Sequence, residues 1–216
     1  MTKANKRTEI VFILDRSGSM GGLEGDTIGG YNSFLEKQQK KKREARITTV
    51  LFDDQYELLH DRLDLQAVGP ITEEDYFVRG STALLDAIGK SIQKITNAQK
   101  QSKPEFRAGN VIFVITTDGM ENASREYSYD KIKEMVEEKK AEFGWEFIFL
   151  GANIDAIETG KRFGIARNRV SYYMADEVGI AANFSSINEA VDSFMEHGEV
   201  DDEWSAEVAA DYDRRH

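Results

Sequence analysis

The sequence predicts an α/β fold: a three-layer, doubly wound, mostly parallel sheet of about six strands, with one antiparallel edge strand and helices on both faces. Three observations lead there. Ile10–Leu14 and Val111–Ile115 are uninterrupted apolar runs, the composition of strands buried on both faces. Between such runs, apolar residues recur at three- and four-residue spacing, the mark of amphipathic helices. Strand and helix therefore alternate, and that alternation builds parallel sheets. Both runs also lead into a carboxylate, at Asp15 and Asp118. Doubly wound sheets bind ligands beyond the carboxyl ends of strands, where strand order reverses. On this reading the strands ending at Asp15 and Asp118 are neighbours.

After the first strand, Thr27, Ile28, Tyr31, Phe34, Leu35 and Gln38 mark a helix over residues 24–42. Ile47–Phe52 is the second strand. Asp53-Asp54 turns the chain into a short strand, Gln55–His60, the antiparallel partner at the sheet edge. Residues 61–80 show no clear periodicity. Leu84, Leu85, Ile88, Ile92 and Ile95 form the buried stripe of a helix beginning at Ala83. A polar stretch holding Pro104 reads as a loop before the strand Val111–Thr116. Ile132, Met135 and Val136 define a helix over 130–143, and Glu146–Gly151 is the next strand. Ile154 and Ile157 sit on a short helix, with Gly164 as its left-handed cap. Arg169–Tyr173 reads as the last strand. Ile180, Phe184, Ile187, Val191 and Phe194 mark a closing helix, broken near Ser186, where Ser186-x-x-Glu189 reads as a capping box. The chain is thus one domain, residues 8–197, followed by an acidic tail, 198–216.

Composition narrows the function classes. A chain of 216 residues, 40% hydrophobic and 31% charged, has the profile of a globular domain, not of a disordered one. No apolar run approaches the ~20 residues needed to cross a membrane. The basic N-terminus precedes an apolar run shorter than the roughly 7–15 residues of a signal-peptide core. Zero cysteines exclude disulfides and thiol catalysis and fit a cytoplasmic protein, which is the expectation. A net charge of −11 argues against nucleic-acid binding. The one basic cluster, Lys37 with Lys40–Arg43, reads as the solvated end of a helix.

Asp15-x-Ser17-x-Ser19 places a carboxylate and two hydroxyls at alternate positions on the tight loop leaving the first strand. Hard oxygen donors without His or Cys suit magnesium, manganese or calcium rather than zinc. Thr82, in Gly80-Ser-Thr-Ala-Leu-Leu-Asp86, and Asp118, in Ile115-Thr-Thr-Asp-Gly-Met-Glu-Asn122, complete a three-part pattern. In order and spacing the pieces resemble the metal-ion-dependent adhesion site of von Willebrand factor A (VWA) domains, in particular standalone bacterial or phage types. The resemblance spans roughly residues 8 to 197. It implies a Rossmann-like fold with the two Asp-bearing strands side by side. It also implies a Mg2+ or Mn2+ site, with Ca2+ as an alternative, at Asp15, Ser17, Ser19, Thr82 and Asp118. Ser17, Ser19 and sometimes Thr82 would touch the metal directly, and the two aspartates, Asp15 and Asp118, often through water. The remaining ligand would be an acidic residue of a partner protein, in some relatives part of an ATPase-associated complex. No nucleic acid or membrane partner is implied, and the chain is expected to be a monomer or weak oligomer.

Neighbouring residues read as scaffold. Thr82 also stands where a helix N-cap belongs, with Ser81 as the other candidate. Arg16 reads as a solvated loop residue, Asp53 and Asp54 as a turn, and Asp86 as helix surface. Glu121 and Asn122 look typical of the family's loop without being ligands. Enzyme readings fare poorly. A haloacid-dehalogenase-type phosphatase expects a second Asp where Ser17 stands, so its general acid is missing. Gly89-Lys90-Ser91 lacks the leading glycine of a phosphate loop, since position 84 is Leu. The dinucleotide glycine signature follows no strand. His60, His197 and His216 lie outside the motif loops, leaving Ser17 and Ser19 without a base. The expectation is a non-enzymatic, metal-dependent binding module. A metal-dependent phosphate-ester hydrolase and a structural subunit with a vestigial site are the alternatives.

Overall fold

The computed structural model describes residues 7–216; the start of the basic N-terminus weighed above, residues 1–6, lies outside them. The chain runs β1 (Thr8–Asp15), α1 (Glu24–Lys40), β2 (Ala45–Phe52), β3 (Tyr56–Asp64), α2 (Leu84–Gln101), β4 (Asn110–Thr117) and α3 (Tyr129–Phe143). It continues through β5 (Glu146–Gly151), α4 (Ala156–Arg162), β6 (Val170–Tyr172), α5 (Glu177–His197) and α6 (Ala206–Arg215). The strands form one sheet in the order β3-β2-β1-β4-β5-β6. Only β3 is antiparallel. The chain builds outward from β1 through β2 to β3, then crosses back to β4 and builds the other way. The reversal lies between β1 and β4, which pair directly from Thr8 with Asn110 to Leu14 with Thr116. A doubly wound sheet opens its crevice at that point.

Strand residues point alternately to opposite faces, and β1 divides the core accordingly. Ile10, Phe12 and Leu14 join Tyr31 and Phe34 of α1, Phe184 and Phe194 of α5, and Val208 of α6. Val11 and Ile13 join Leu84, Ile88 and Ile92 of α2, Ile132 and Val136 of α3, and Ala156 of α4. All eight residues of β1 are buried, so the strand is anchored from both faces up to Asp15.

Several details differ from the sequence reading. Strand β3 runs to Asp64, past His60, with irregular register near Thr49. Residues 65–80 carry no periodic signal because the stretch holds only a 3-10 turn, Leu65–Ala67, and a second turn in which Asp75 N and Tyr76 N donate to Thr72 O. The segment is pinned by the isolated buried side chains Leu65, Val68, Ile71 and Tyr76. Helix α5 is not broken at Ser186: it is continuous from an N-cap at Asp176, whose side chain accepts from Gly179 N at 2.8 Å. Ser186 Oγ instead accepts from Val208 N of α6 at 3.3 Å. In the residues after 197, Trp204 and Val208 are buried, and the Trp204 indole donates to Asn168 O at 2.9 Å. The basic cluster is only partly a solvated helix end. Lys40 pairs with Glu36, but Lys41 and Arg43 reach across to Asp192 and Glu196 of α5.

Candidate metal site

The three motif loops meet at the carboxyl edge of β1 and β4. Asp15, the last residue of β1, folds its carboxylate back so that Oδ1 accepts from Ser17 N at 2.7 Å. A single 3-10 turn, Gly18–Met20, then brings Ser17 and Ser19 to one side, their Oγ atoms 3.3 Å apart. Gly80, with φ +68, lies on the second loop, where its carbonyl accepts from Gly18 N at 3.1 Å. A positive φ is the conformation glycine adopts without strain. Thr82 Oγ1 donates to Ser17 Oγ at 3.0 Å. Asp118 follows β4, and Ser19 Oγ donates to its Oδ1 at 2.6 Å. Thr117 Oγ1, one residue earlier, donates to Asp15 Oδ2. The five side chains chosen from the sequence therefore form one continuous polar cluster with Thr117.

The electrostatics of the cluster are unusual. Asp15 and Asp118 are 1% and 3% exposed, and neither has an ion-pair partner among the described residues. Burial pushes the Asp15 carboxyl up to about 6, against the opposing hydrogen bonds from Ser17 and Thr117, with the Asp118 charge adding to the rise. Burial likewise raises Asp118. Two desolvated carboxylates without a counter-charge are costly unless a cation neutralises them. A divalent ion fits that requirement, and the donors are all hard oxygens. Space at the cluster is also specific. A Cβ on Gly119 would sit 3.0 Å from Ser19 Oγ, 3.2 Å from Thr82 Oγ1 and 3.9 Å from Ser17 Oγ. The three hydroxyls thus gather close around Gly119, where an added methyl would crowd Ser19 and Thr82. Among the described residues no group of three His, Cys, Asp or Glu side chains is placed to hold a metal; this site offers two carboxylates and draws its other donors from hydroxyls.

The residues read as scaffold prove more structured than their sequence suggested. Arg16 is not a solvated loop residue: it is fully buried, with its Nε 3.0 Å from Asp53 Oδ2 and its Nη2 2.6 Å from Glu57 Oε2. Asp53 is likewise buried, not a simple turn residue, and also takes Arg79 Nε at 2.6 Å. Neither Ser81 nor Thr82 caps α2. Its N-cap is Ala83, which makes no side-chain capping bond, and Leu85 N donates instead to Glu121 Oε2 at 2.9 Å. Asp86 is not helix surface either; it accepts backbone N–H groups from Arg125, Glu126 and Tyr127. Sequence reasoning missed Thr117, Tyr76 and Gly119. The Tyr76 hydroxyl donates to Asp15 O at 2.5 Å. Thr117 and Gly119 flank Asp118 in the motif and were legible there, while Tyr76 gave no signal within an aperiodic stretch.

No family model matches the sequence, nor does any curated protein. Solved structures do share its fold. The von Willebrand factor (vWF) domain of the type V pili tip protein Mfa5 from Porphyromonas gingivalis superposes with a TM-score of 0.64 at 13% identity, covering 90% of this chain and 98% of that one. The manganese-loaded TRAP protein of Plasmodium vivax gives 0.61 at 20% identity, over 83% of this chain and 72% of that one. The PilB minor pilin of Streptococcus sanguinis gives 0.60 at 14% identity, with 90% of this chain covering 63% of the pilin. The chain therefore has a VWA-like Rossmann fold.

Proposed function

We propose that the chain is a metal-dependent protein-binding module that holds Mg2+ or Mn2+, with Ca2+ as the alternative, at Asp15, Ser17, Ser19, Thr82 and Asp118. Its partner would be a protein presenting an acidic side chain. The observation that carries this reading is the convergence of two buried, unpaired carboxylates and three hydroxyls at the β1–β4 switch point. A bound divalent cation would supply the positive charge that attracts a carboxylate from outside. The chain's own contribution is balance. Asp15 and Asp118 bring two negative charges, matching the ion, while the hydroxyls add oxygen without further charge. Ser19 is the exposed member of the set, so the cluster opens to solvent on that side.

Other features support binding over catalysis. His60 Nδ1 lies 3.0 Å from Thr49 Oγ1 and His216 stacks on Tyr212, while the Ser17 and Ser19 hydroxyls bond each other, Thr82 and Asp118 and, among the described residues, are paired with no imidazole base. The manganese-loaded state of the similar TRAP structure supports a divalent ion here. Cytoplasmic location and work beside an ATPase belong to the same proposal, whereas the stretch expected as an acidic tail, 198–216, carries α6 and packs Trp204 and Val208 into the core. Affinity capture from cell extract tests the proposal, with bound proteins compared in magnesium, in EDTA and with Asp118→Ala. We expect a protein retained in magnesium and released by both treatments, whose binding falls sharply when one of its Glu or Asp residues becomes Gln or Asn. A partner retained through EDTA and Asp118→Ala places recognition elsewhere on the domain.

A further inference from the structure

The second and third loops of the site are tied together by an exchange of hydrogen bonds that involves no proposed metal ligand side chain. Glu121, three residues after Asp118, accepts from Leu85 N at the start of α2 at 2.9 Å. The same carboxylate accepts from Ala123 N at 3.0 Å and from Ser124 N and Oγ at 2.8 Å each. Asp86, four residues after Thr82, accepts in return from Arg125 N, Glu126 N and Tyr127 N at 2.9–3.0 Å. Asn122 Oδ1 takes Thr82 N at 2.9 Å, and Asn122 N donates to Thr82 O at 3.0 Å. Glycine completes the seam. A Cβ on Gly89 would lie 2.4–2.5 Å from the Tyr127 ring, so the ring packs against α2 only because that position has no side chain.

We infer that Asp86 and Glu121 are positioning residues of the candidate metal site, locking the Thr82 loop to the Asp118 loop before an ion binds. The inference rests on the metal-binding reading above. Glu121 accepts four protein donors and Asp86 three backbone N–H groups, which commits both carboxylates to the loop seam and fixes them as braces. The brace has a clear physical task. Asp15 and Asp118 are like charges sharing one buried cluster, and without an ion their repulsion favours moving the third loop away. Each orphan N–H at the α2 N-terminus that finds its acceptor on that loop opposes the movement. A site assembled only part of the time binds its ion more weakly in proportion to the assembled fraction.

Manganese titration followed by the resonance of the free ion tests this on the full chain, with Glu121→Ala, Asp86→Ala and Gly89→Ala as variants. The last displaces Tyr127 without touching a carboxylate. Ile187→Val, in the core layer lined by α5, serves as a control for general loss of stability. The variants should bind one ion per chain with affinity lowered roughly 10- to 100-fold, the range for residues that orient metal ligands. Amide exchange at Leu85, Arg125, Glu126 and Tyr127 in the metal-free variants should quicken. The control should stay within about twofold of wild type. Variants that bind manganese as tightly as wild type, even with lowered melting temperatures, overturn the positioning role and leave the metal site standing. Absence of manganese uptake by the wild-type protein overturns the metal reading itself, and the brace's purpose with it.

Discussion

Asp15 and Asp53 leave adjacent strands at the same edge of the sheet, and the protein treats them in opposite ways. In register, Asp15 lies beside Phe52, so Asp53 is one residue beyond it. Both are buried to 1% exposure or less. Burial pushes the Asp53 carboxyl up, but hydrogen bonds from Arg79, Gln55 N and Arg16, with the Arg16 charge, hold it below its ordinary value. Asp15 receives only hydroxyl and backbone donors and stays raised, at about 6. The contrast is sharpest at Arg16. It is the residue after Asp15, yet its guanidinium turns to Asp53 and Glu57. The nearby cations Arg16 and Arg79 thus pair with a structural carboxylate, and among the described residues the motif carboxylates have no cationic partner, as the proposed metal site requires.

The largest effect expected from breaking the contrast is on stability, at Asp53. Asp53→Ala leaves Arg16 buried with only Glu57, whose side chain is 46% exposed, as a counter-charge. Removing one partner of a buried pair costs about 3–5 kcal/mol, measurable by urea unfolding of the metal-free protein. A loss below ~1 kcal/mol erases the distinction between the two aspartates.

A smaller effect, of opposite sign, is expected from pH. The folded, metal-free protein holds the Asp15 proton more tightly than the unfolded chain does, since its value of about 6 exceeds the ordinary 3.8. The native state therefore binds more protons in that window, and the Asp15 contribution to stability falls as pH rises from about 4 to about 6. The difference amounts to at most about 3 kcal/mol. Asp118 shifts the same way, and Asp53 the opposite way, so the measurement is the difference between wild type and Asp15→Asn unfolded across that range. The wild-type curve should slope downward relative to the variant. Parallel curves contradict the burial of an unpaired charge at Asp15.

Much of this was legible from residue order alone. Apolar runs stopping at a carboxylate marked β1 and β4, and helical spacing marked α1, α2 and the closing helix. The motif located all five side chains that the structure brings together. The unreadable parts share a cause: they depend on contacts between distant segments. Arg16 sits between two motif positions, and nothing local reveals that Asp53, Glu57 and Arg79 enclose it. Asp86 has the spacing of an exposed helical position, yet its acceptors are filled by a loop some 40 residues away. Ser186-x-x-Glu189 has the letters of a capping box inside a helix that never stops, because the Ser186 hydroxyl serves α6 instead.

If the buried pair Asp15 and Asp118 holds a divalent cation as proposed, calorimetric titration of manganese must separate wild type from Asp15→Asn. One ion should bind per wild-type chain near neutral pH. Asp15→Asn should take up none measurably, while its metal-free form should be at least as stable as wild type because an unpaired buried charge has gone. Equal uptake by the two proteins would mean that the pair does not hold the ion.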